Sequence, residues 1–214
     1  VRSRRQRQMC IRDSTHSDVV TLLDTAADDF EFRPDDVWTM FHSYAFDFSV
    51  WELFGPLVTG ARVVVVDRDL ARDPQAFAEL LADEKVTVLS QTPSAFYQFA
   101  EARRRRASRL SLRYIVFGGE ELSFEQVRRW FDDHPDDPAR LVNMYGITET
   151  TVHVSFRSLD RDDVVAGDPS FIGRPLASLG IHLLDSRLRP VPEGVVGEMY
   201  VTGAVSYTHL TLPT

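Results

Sequence analysis

Residues 86–119 read VTVLSQTPSAFYQFAEARRRRASRLSLRYIVFGG, and this stretch decides the fold class. The apolar run Val86 to Ser90 predicts a strand, and Ser94 to about Ser108 predicts a helix. Leu112 to Phe117 predicts a second strand, which Gly118-Gly119 ends. Two strands joined by a helical crossover of this length lie parallel in one sheet. The stretch therefore indicates an α/β protein with a mostly parallel sheet covered by helices.

The same alternation continues on both sides of this unit. Further strands are predicted at Val37–Tyr44, Arg62–Val66 (as a buried strand), Leu141–Tyr145 and Thr150–Phe156. Further helices are predicted from Ser49 to Gly60, from Asp73-Pro74 onward and from Ser123 to about Phe131. The first and last of these begin with capping boxes, which span Ser49 to Glu52 and Ser123 to Gln126. Residues 171–203 contain strand-like runs and turns, which predict a β-rich, more antiparallel C-terminal portion.

Composition excludes several classes of protein. The chain has 214 residues, 43% of them hydrophobic, and a formal net charge of −8. An acidic chain is a poor candidate for nucleic-acid binding. The longest apolar runs fall far short of the roughly 20 residues that a membrane helix requires. The single cysteine, Cys10, cannot form an internal disulfide. We therefore expect neither a nucleic-acid partner nor a membrane partner.

The two ends of the chain are complementary at the level of DNA. One codon choice for residues 205–214, VSYTHLTLPT, has a reverse complement that translates to RRQRQMCIRD, which is the sequence of residues 4–13. The string also resembles a transposase adapter used to build sequencing libraries. We therefore interpret residues 1–14 and 205–214 as adapter-derived and residues 15–204 as the interior part of a longer protein.

Three segments that follow predicted strands carry groups suited to chemistry, and ligands bind at the carboxyl ends of parallel strands. Residues 46–52 place Asp47 between two phenylalanines, where a buried carboxylate needs a cationic partner. Residues 117–120 pair two glycines with Glu120, and glycines let a flat ligand approach the backbone. Residues 143–150 combine a carboxamide, an aromatic ring, hydroxyls and a carboxylate. Each segment alone is more often a structural turn or helix cap than a ligand site.

Together these segments resemble the adenylate-forming superfamily, and closely the adenylation domains of nonribosomal peptide synthetases. The matching strings are FDFSVWE, TPSAF, NMYGITETTVHVS, IGRPL and GEMYVTG, in the order of the family. The resemblance spans about Asp36 to Gly203. It differs at Ile147, where the family usually has proline, although Thr148 and Glu149 keep their spacing.

The resemblance implies an amino-acid-activating ligase that uses ATP and Mg²⁺ and passes the acyl group to phosphopantetheine on a partner carrier domain. It implies that Asp47 pairs with the substrate ammonium and that Thr148 and Glu149 are catalytic, with Glu149 also a metal ligand. The nucleotide-binding residues that it implies are Gly119, Glu120, Asn143, Tyr145, Gly146 and Thr148.

The resemblance also assigns the lining of the side-chain pocket. Those residues are Asp47, Phe48, Trp51, Ser90, Val116, Gly118, Met144, Val152 and His153. The resulting string, DFWSVGMVH, looks like pockets that activate threonine. Apolar walls would enclose a small side chain, while Ser90 and His153 would bond its hydroxyl. For His153, an ordinary satisfied core histidine remains the alternative.

The family's organisation implies partners and missing parts. Partners would be a peptidyl carrier protein and condensation domains in the same cytoplasmic synthetase; whether a small activator protein is needed stays open. The family's phosphate loop would lie upstream, and its ribose-binding Asp and catalytic Lys downstream, so we expect the 214-residue chain to be inactive alone. An acyl- or aryl-CoA ligase and a non-catalytic synthetase remnant remain as alternatives. A nicotinamide-dependent enzyme is disfavoured because no G-x-G-x-x-G follows a strand.

Overall fold

The computed structural model describes residues 14–104, 110–165 and 171–203, so the two adapter-like ends lie almost wholly outside it. The helices are α1 (His16–Ala26), α2 (Phe48–Thr59), α3 (Pro74–Asp83), α4 (Pro93–Arg104), α5 (Phe124–Asp133) and α6 (Arg161–Val165). The strands are β1 (Val37–Met40), β2 (Arg62–Val65), β3 (Val88–Gln91), β4 (Tyr114–Phe117), β5 (Arg140–Asn143), β6 (Ser155–Leu159), β7 (Arg174–Pro175), β8 (Leu179–Leu184) and β9 (Glu198–Gly203). Short 3-10 turns cover Leu70–Arg72 and Thr148–Thr150.

The main sheet has seven strands in the order β2-β1-β3-β4-β5-β6-β7. Strands β1 to β5 run parallel, and β6 and β7 are antiparallel to their neighbours. Strands β8 and β9 form a separate antiparallel pair. The predicted α/β class with a mostly parallel sheet is confirmed, and the described C-terminal residues are β-rich as expected.

Two hydrophobic clusters cover the two faces of the sheet. Val88, Val116 and Val142 belong to one cluster, whereas their strand neighbours Leu89 and Ile115 belong to the other. Successive residues of a strand point to opposite faces, so each central strand is buried on both sides. This explains the nearly continuous apolar runs that predicted these strands. None of the helices in the described part of the chain is long and apolar enough to cross a membrane.

Two strand predictions were wrong in detail. Arg62–Val66 was expected to be buried, but β2 lies at the sheet edge and Val65 is 71% exposed. The strand predicted over Thr150–Phe156 begins only at Ser155, because Thr151 and Val152 adopt left-handed backbone angles with φ of 56° and 69°. Positive φ lies outside the β region of backbone angles, so these two residues cannot form part of a strand.

The helices begin close to the predicted residues, but the predicted capping hydrogen bonds do not all form. The Asp73 carboxylate accepts hydrogen bonds from the backbone N–H groups of Gln75 and Ala76, which caps α3 as predicted. Helix α5 begins after Ser123, whose side chain makes no capping bond. The capping box at Ser49 is wrong: α2 begins at Phe48, so Ser49 lies inside the helix.

Candidate functional site

The parallel strands bring the three predicted segments to one edge of the sheet. β1, β4 and β5 all end there, and the chain continues from them into the Asp47 turn, into Gly118-Gly119 and into residues 144–150. β3 ends at the same edge, just before Thr92. Segments far apart in sequence therefore meet where open α/β sheets bind ligands.

Asp47 lies at the N-terminus of α2, between Phe46 and Phe48. Its side chain is half-buried, and within the described residues no hydrogen bond or ion pair reaches its carboxylate. A helix N-terminus stabilises a negative charge. The carboxylate therefore has no hydrogen-bond partner among the described residues and is open to a cationic ligand.

Phe48, Trp51, Gly118 and His153 surround one point near the strand ends. The His153 ring lies 5.0 Å from Phe48 and 5.2 Å from Trp51, edge-on to both. A Cβ added to Gly118 would stand 3.2 Å from His153 Cε1 and 3.3 Å from Phe48 Cε1. The missing side chain at Gly118 is therefore what leaves room between these rings.

The apolar residues of the predicted pocket share one buried cluster. Phe48, Trp51, Val116, Met144 and Val152 all belong to it. Ser90 is also buried and pairs with Val116 across adjacent strands, so it points to the same face. The structure thus places the predicted lining residues on one face of the sheet, next to Asp47.

Several polar atoms of this lining are buried without a hydrogen-bond partner in the described structure. They are Ser90 Oγ, Trp51 Nε1 and both ring nitrogens of His153. Burial lowers the pKa of His153 to about 3, and repulsion from His42 adds to the shift. The imidazole is therefore neutral at pH 7, with one donor and one acceptor nitrogen. Unsatisfied buried polar groups are costly, so these atoms favour a ligand that hydrogen-bonds to them.

A strained turn positions Val152 and His153. Thr151 and Val152 both have positive φ, a conformation that costs roughly 1–3 kcal/mol per residue. Val154 and Ser155 donate backbone hydrogen bonds to the Tyr145 carbonyl and close the turn. A side chain at Gly146 would overlap the carbonyl of Val152, so the turn requires glycine there. Strain of this kind is typical of functional sites.

The residues assigned to the nucleotide lie beside this turn. Asn143 is 4% exposed, and its Nδ2 donates to the Phe171 carbonyl at 2.8 Å. Tyr145 is 37% exposed, which leaves its ring accessible for stacking. Gly119 has φ of 82° and packs so tightly that an added Cβ would stand 2.8 Å from Phe46 Cζ. Gly119 is exposed, which leaves its backbone accessible to a ligand.

Glu120 has a structural contact that the sequence did not suggest. Its carboxylate accepts hydrogen bonds from Ser94 N at 3.0 Å and from Ser94 Oγ at 2.9 Å. It therefore caps the N-terminus of α4 and fixes the TPSAF segment against the glycine loop.

Thr148 and Glu149 lie in the 3-10 turn and are half-buried. The described residues contain no group of three or more His, Cys, Asp or Glu side chains that could hold a metal by themselves. Mg²⁺ is commonly bound by one or two carboxylates together with substrate phosphates. A single carboxylate at Glu149 fits that mode.

Sequence reasoning missed two residues beneath the site, His42 and Glu52. The Glu52 carboxylate is fully buried and accepts backbone hydrogen bonds from Phe41 at 3.2 Å and His42 at 3.0 Å. Its Oε1 lies 3.0 Å from Nδ1 of His42. The available signal was that Glu52 is the only charged residue in the otherwise apolar sequence of α2, FSVWELFGPLVT.

Comparison with known proteins identifies relatives of the whole described fold. A family model described as "AMP-binding enzyme" matches residues 14–208. The chain is 52% identical to a dimodular nonribosomal peptide synthase of Bacillus subtilis (strain 168), over 88% of this chain and 8% of that protein. It is 45% identical to syringomycin synthase SyrB1 of Pseudomonas syringae pv. syringae, over 89% of this chain and 31% of that protein. The chain thus spans only a small part of these relatives.

Solved structures agree with the sequence matches. The crystal structure of the nonribosomal peptide synthetase FmoA3 gives a TM-score of 0.82 at 30% identity, covering 91% of this chain and 21% of that one. The structure of IdnL1 gives 0.79 at 28% identity, covering 91% of this chain and 40% of that one. These matches confirm the resemblance to adenylation domains that the sequence motifs indicated.

Proposed function

This chain belongs to the AMP-binding enzyme family, and we propose that it is part of an adenylation domain that activates L-threonine in a nonribosomal peptide synthetase. The threonine carboxylate attacks the α-phosphorus of ATP, forming a carboxyl–phosphate bond and releasing pyrophosphate. The acyl group then passes to the phosphopantetheine thiol of a carrier domain, and AMP leaves.

The unpartnered Asp47 carboxylate, which adjoins the lining residue Phe48, carries the assignment to an amino acid. A substrate ammonium would provide the cation that a half-buried carboxylate requires. A charge-assisted hydrogen bond would also orient the substrate carboxylate toward the nucleotide. An acyl- or aryl-CoA ligase acts on acids without an α-amine and has no use for this group.

The buried polar atoms support the assignment to a hydroxylated side chain. Ser90 Oγ and the two nitrogens of neutral His153 have no partner in the described structure. A β-hydroxyl can donate to one of these groups and accept from another. Apolar walls at Val116, Met144 and Val152 suit the adjoining methyl group. Valine would leave the polar atoms unsatisfied, and a site that bonds a hydroxyl strongly rejects the analogue without it.

On the nucleotide side, Asn143 and Tyr145 would contact adenine by hydrogen bonding and by stacking. Gly119 and Gly146 would allow close approach of the nucleotide, with Thr148 near the α-phosphate. Glu149 would hold Mg²⁺, which would neutralise charge on the phosphates as pyrophosphate leaves.

This chain would work together with other domains of a larger synthetase. Its partners would be a carrier protein and condensation domains of one cytoplasmic synthetase. Residues 15–204 would form an interior part of the domain, flanked by adapter-derived ends. The family's phosphate loop and catalytic lysine lie outside such a segment, so the 214-residue chain is expected to be inactive on its own.

The direct test is amino-acid-dependent exchange of pyrophosphate into ATP. The assay uses the complete domain, rebuilt from the flanking genomic DNA, with each proteinogenic amino acid in turn. Strong exchange with threonine and little with valine is the expected result. A preference for valine over threonine would overturn the pocket assignment. Folded protein that exchanges with no amino acid, but forms adenylates of simple carboxylic acids, would indicate an acyl-CoA ligase instead.

A further inference from the structure

The buried pair of His42 and Glu52 lies beneath the proposed substrate site and is not used by the chemistry described above. The side chains are 7% and 0% exposed. Glu52 lies in the second turn of α2, and His42 follows the end of β1. The carboxylate accepts two backbone hydrogen bonds and faces the imidazole, so it ties the helix to the strand end.

His42 in turn contacts both aromatic residues that flank Asp47. Its ring stacks on Phe48 with a centroid distance of 4.7 Å and an interplanar angle of 17°. It also packs edge-on against Phe46, with centroids 5.3 Å apart. The ring centroid of Phe48 lies 5.0 Å from that of His153. The buried Glu52 carboxylate therefore lies against the imidazole of His42, which packs against both neighbours of Asp47.

We propose that Glu52 is a positioning residue for the amino-acid site, acting through His42 to hold the turn from Phe46 to Phe48 so that Asp47 meets the substrate ammonium. This inference rests on the proposed function of the site. Neither Glu52 nor His42 touches the reacting atoms, so neither is a catalytic residue.

Stability alone is a poor reason to bury this pair. The desolvation cost of burying polar groups of this kind offsets most of their mutual attraction, and apolar replacements are often as stable. A buried carboxylate that accepts two backbone N–H groups and lies 3.0 Å from an imidazole nitrogen does, however, fix a geometry more narrowly than apolar packing does. Small displacements at a binding carboxylate strongly reduce productive binding. The Asp47 side chain makes no hydrogen bond or ion pair in the described structure, so its position depends on the backbone of this turn.

The test uses Glu52→Gln, His42→Phe and the double variant in the complete domain. Gln keeps an acceptor for the backbone groups but loses the charge, and Phe keeps a ring against Phe48 but loses the partner of Glu52. Each single variant is expected to raise the KM for the amino acid about tenfold and to leave the KM for ATP within twofold. The double variant should be no worse than either single variant, since the two residues act as a unit.

The matched control is Glu125→Gln, the same change at an exposed helical carboxylate, which should alter neither constant. An unchanged amino-acid KM in Glu52→Gln would overturn the proposal. A parallel rise in both KM values together with a lower Tm would also overturn it, because that pattern indicates a purely structural role. If the unmodified domain exchanges with no amino acid, the proposed function itself fails, and the positioning role fails with it.

Discussion

At the scale of single residues, Asp47 gives the sharpest prediction. Replacing Asp47 by Asn keeps the size of the side chain but removes the charge that would pair with the substrate ammonium. The amino-acid KM in the complete domain should rise roughly 10- to 100-fold, since hydrogen bonds to charged groups contribute about 1.5–3 kcal/mol. The KM for ATP should stay unchanged.

Exchange rates of Asp47→Asn, measured at varied concentrations of amino acid and of ATP, give the KM for each substrate separately. The exposed Asp35→Asn serves as control, because it makes the same change of charge away from the site. An amino-acid KM that stays at the unmodified value in Asp47→Asn would show that the ammonium binds elsewhere.

His153 predicts a pH dependence of stability. Its pKa is about 3 in the folded protein and 6.5 when unperturbed. Between these values the unfolded state binds a proton that the folded state does not, so stability falls as the pH falls below 6.5. Through this residue alone, the free energy of unfolding falls by about 2 kcal/mol between pH 7 and pH 5. His153→Gln should remove this part of the pH dependence.

Denaturant unfolding of the complete domain at pH 7 and pH 5 measures that difference. The exposed His182→Gln should retain the unmodified slope. If His153→Gln loses as much stability on acidification as the unmodified domain, then His153 is not the buried neutral histidine described above.

At the scale of elements, two helix starts that the sequence predicted differ in the capping bonds that they make. Asp73 accepts two backbone hydrogen bonds, whereas the side chain of Ser123 makes no capping bond. Asp73→Ala should therefore cost about 1 kcal/mol of unfolding free energy, and Ser123→Ala clearly less. Denaturant unfolding of both variants tests this, and equal losses would contradict it. Exchange activity should persist in both.

The sequence predicted elements well wherever one physical signal dominated. Buried parallel strands such as β3 and β4 appear as apolar runs, and Asp73-Pro74 is a complete helix start. The turn around Thr151 and Val152 could not be predicted, because β-branched residues favour strands and only tertiary packing against Gly146 imposes positive φ. The exposure of β2 also depends on strand order, which a strand's own residues do not encode.

At the scale of the whole molecule, the topology explains why the sequence could predict that the three segments meet. Parallel strands end at one edge, so chemistry-bearing segments after successive strands must converge. The sequence could not reveal Glu52 and His42 as a buried pair, because Glu52 fitted a capping box equally well. It also gave no sign that Glu120 caps α4, a contact between segments that lie 26 residues apart.

We propose that this fold presents Asp47 and a set of hydroxyl-binding groups to threonine. ATP–pyrophosphate exchange by the complete domain, compared for threonine, serine and valine, tests it most directly. Serine, which lacks only a methyl group, should be disfavoured by about 1–3 kcal/mol, and valine should be rejected more strongly. Exchange that is greatest with threonine would support both the chemistry and the pocket. Exchange that is greatest with valine, or absent from folded protein with every amino acid, would show that the site does not bind threonine in this way.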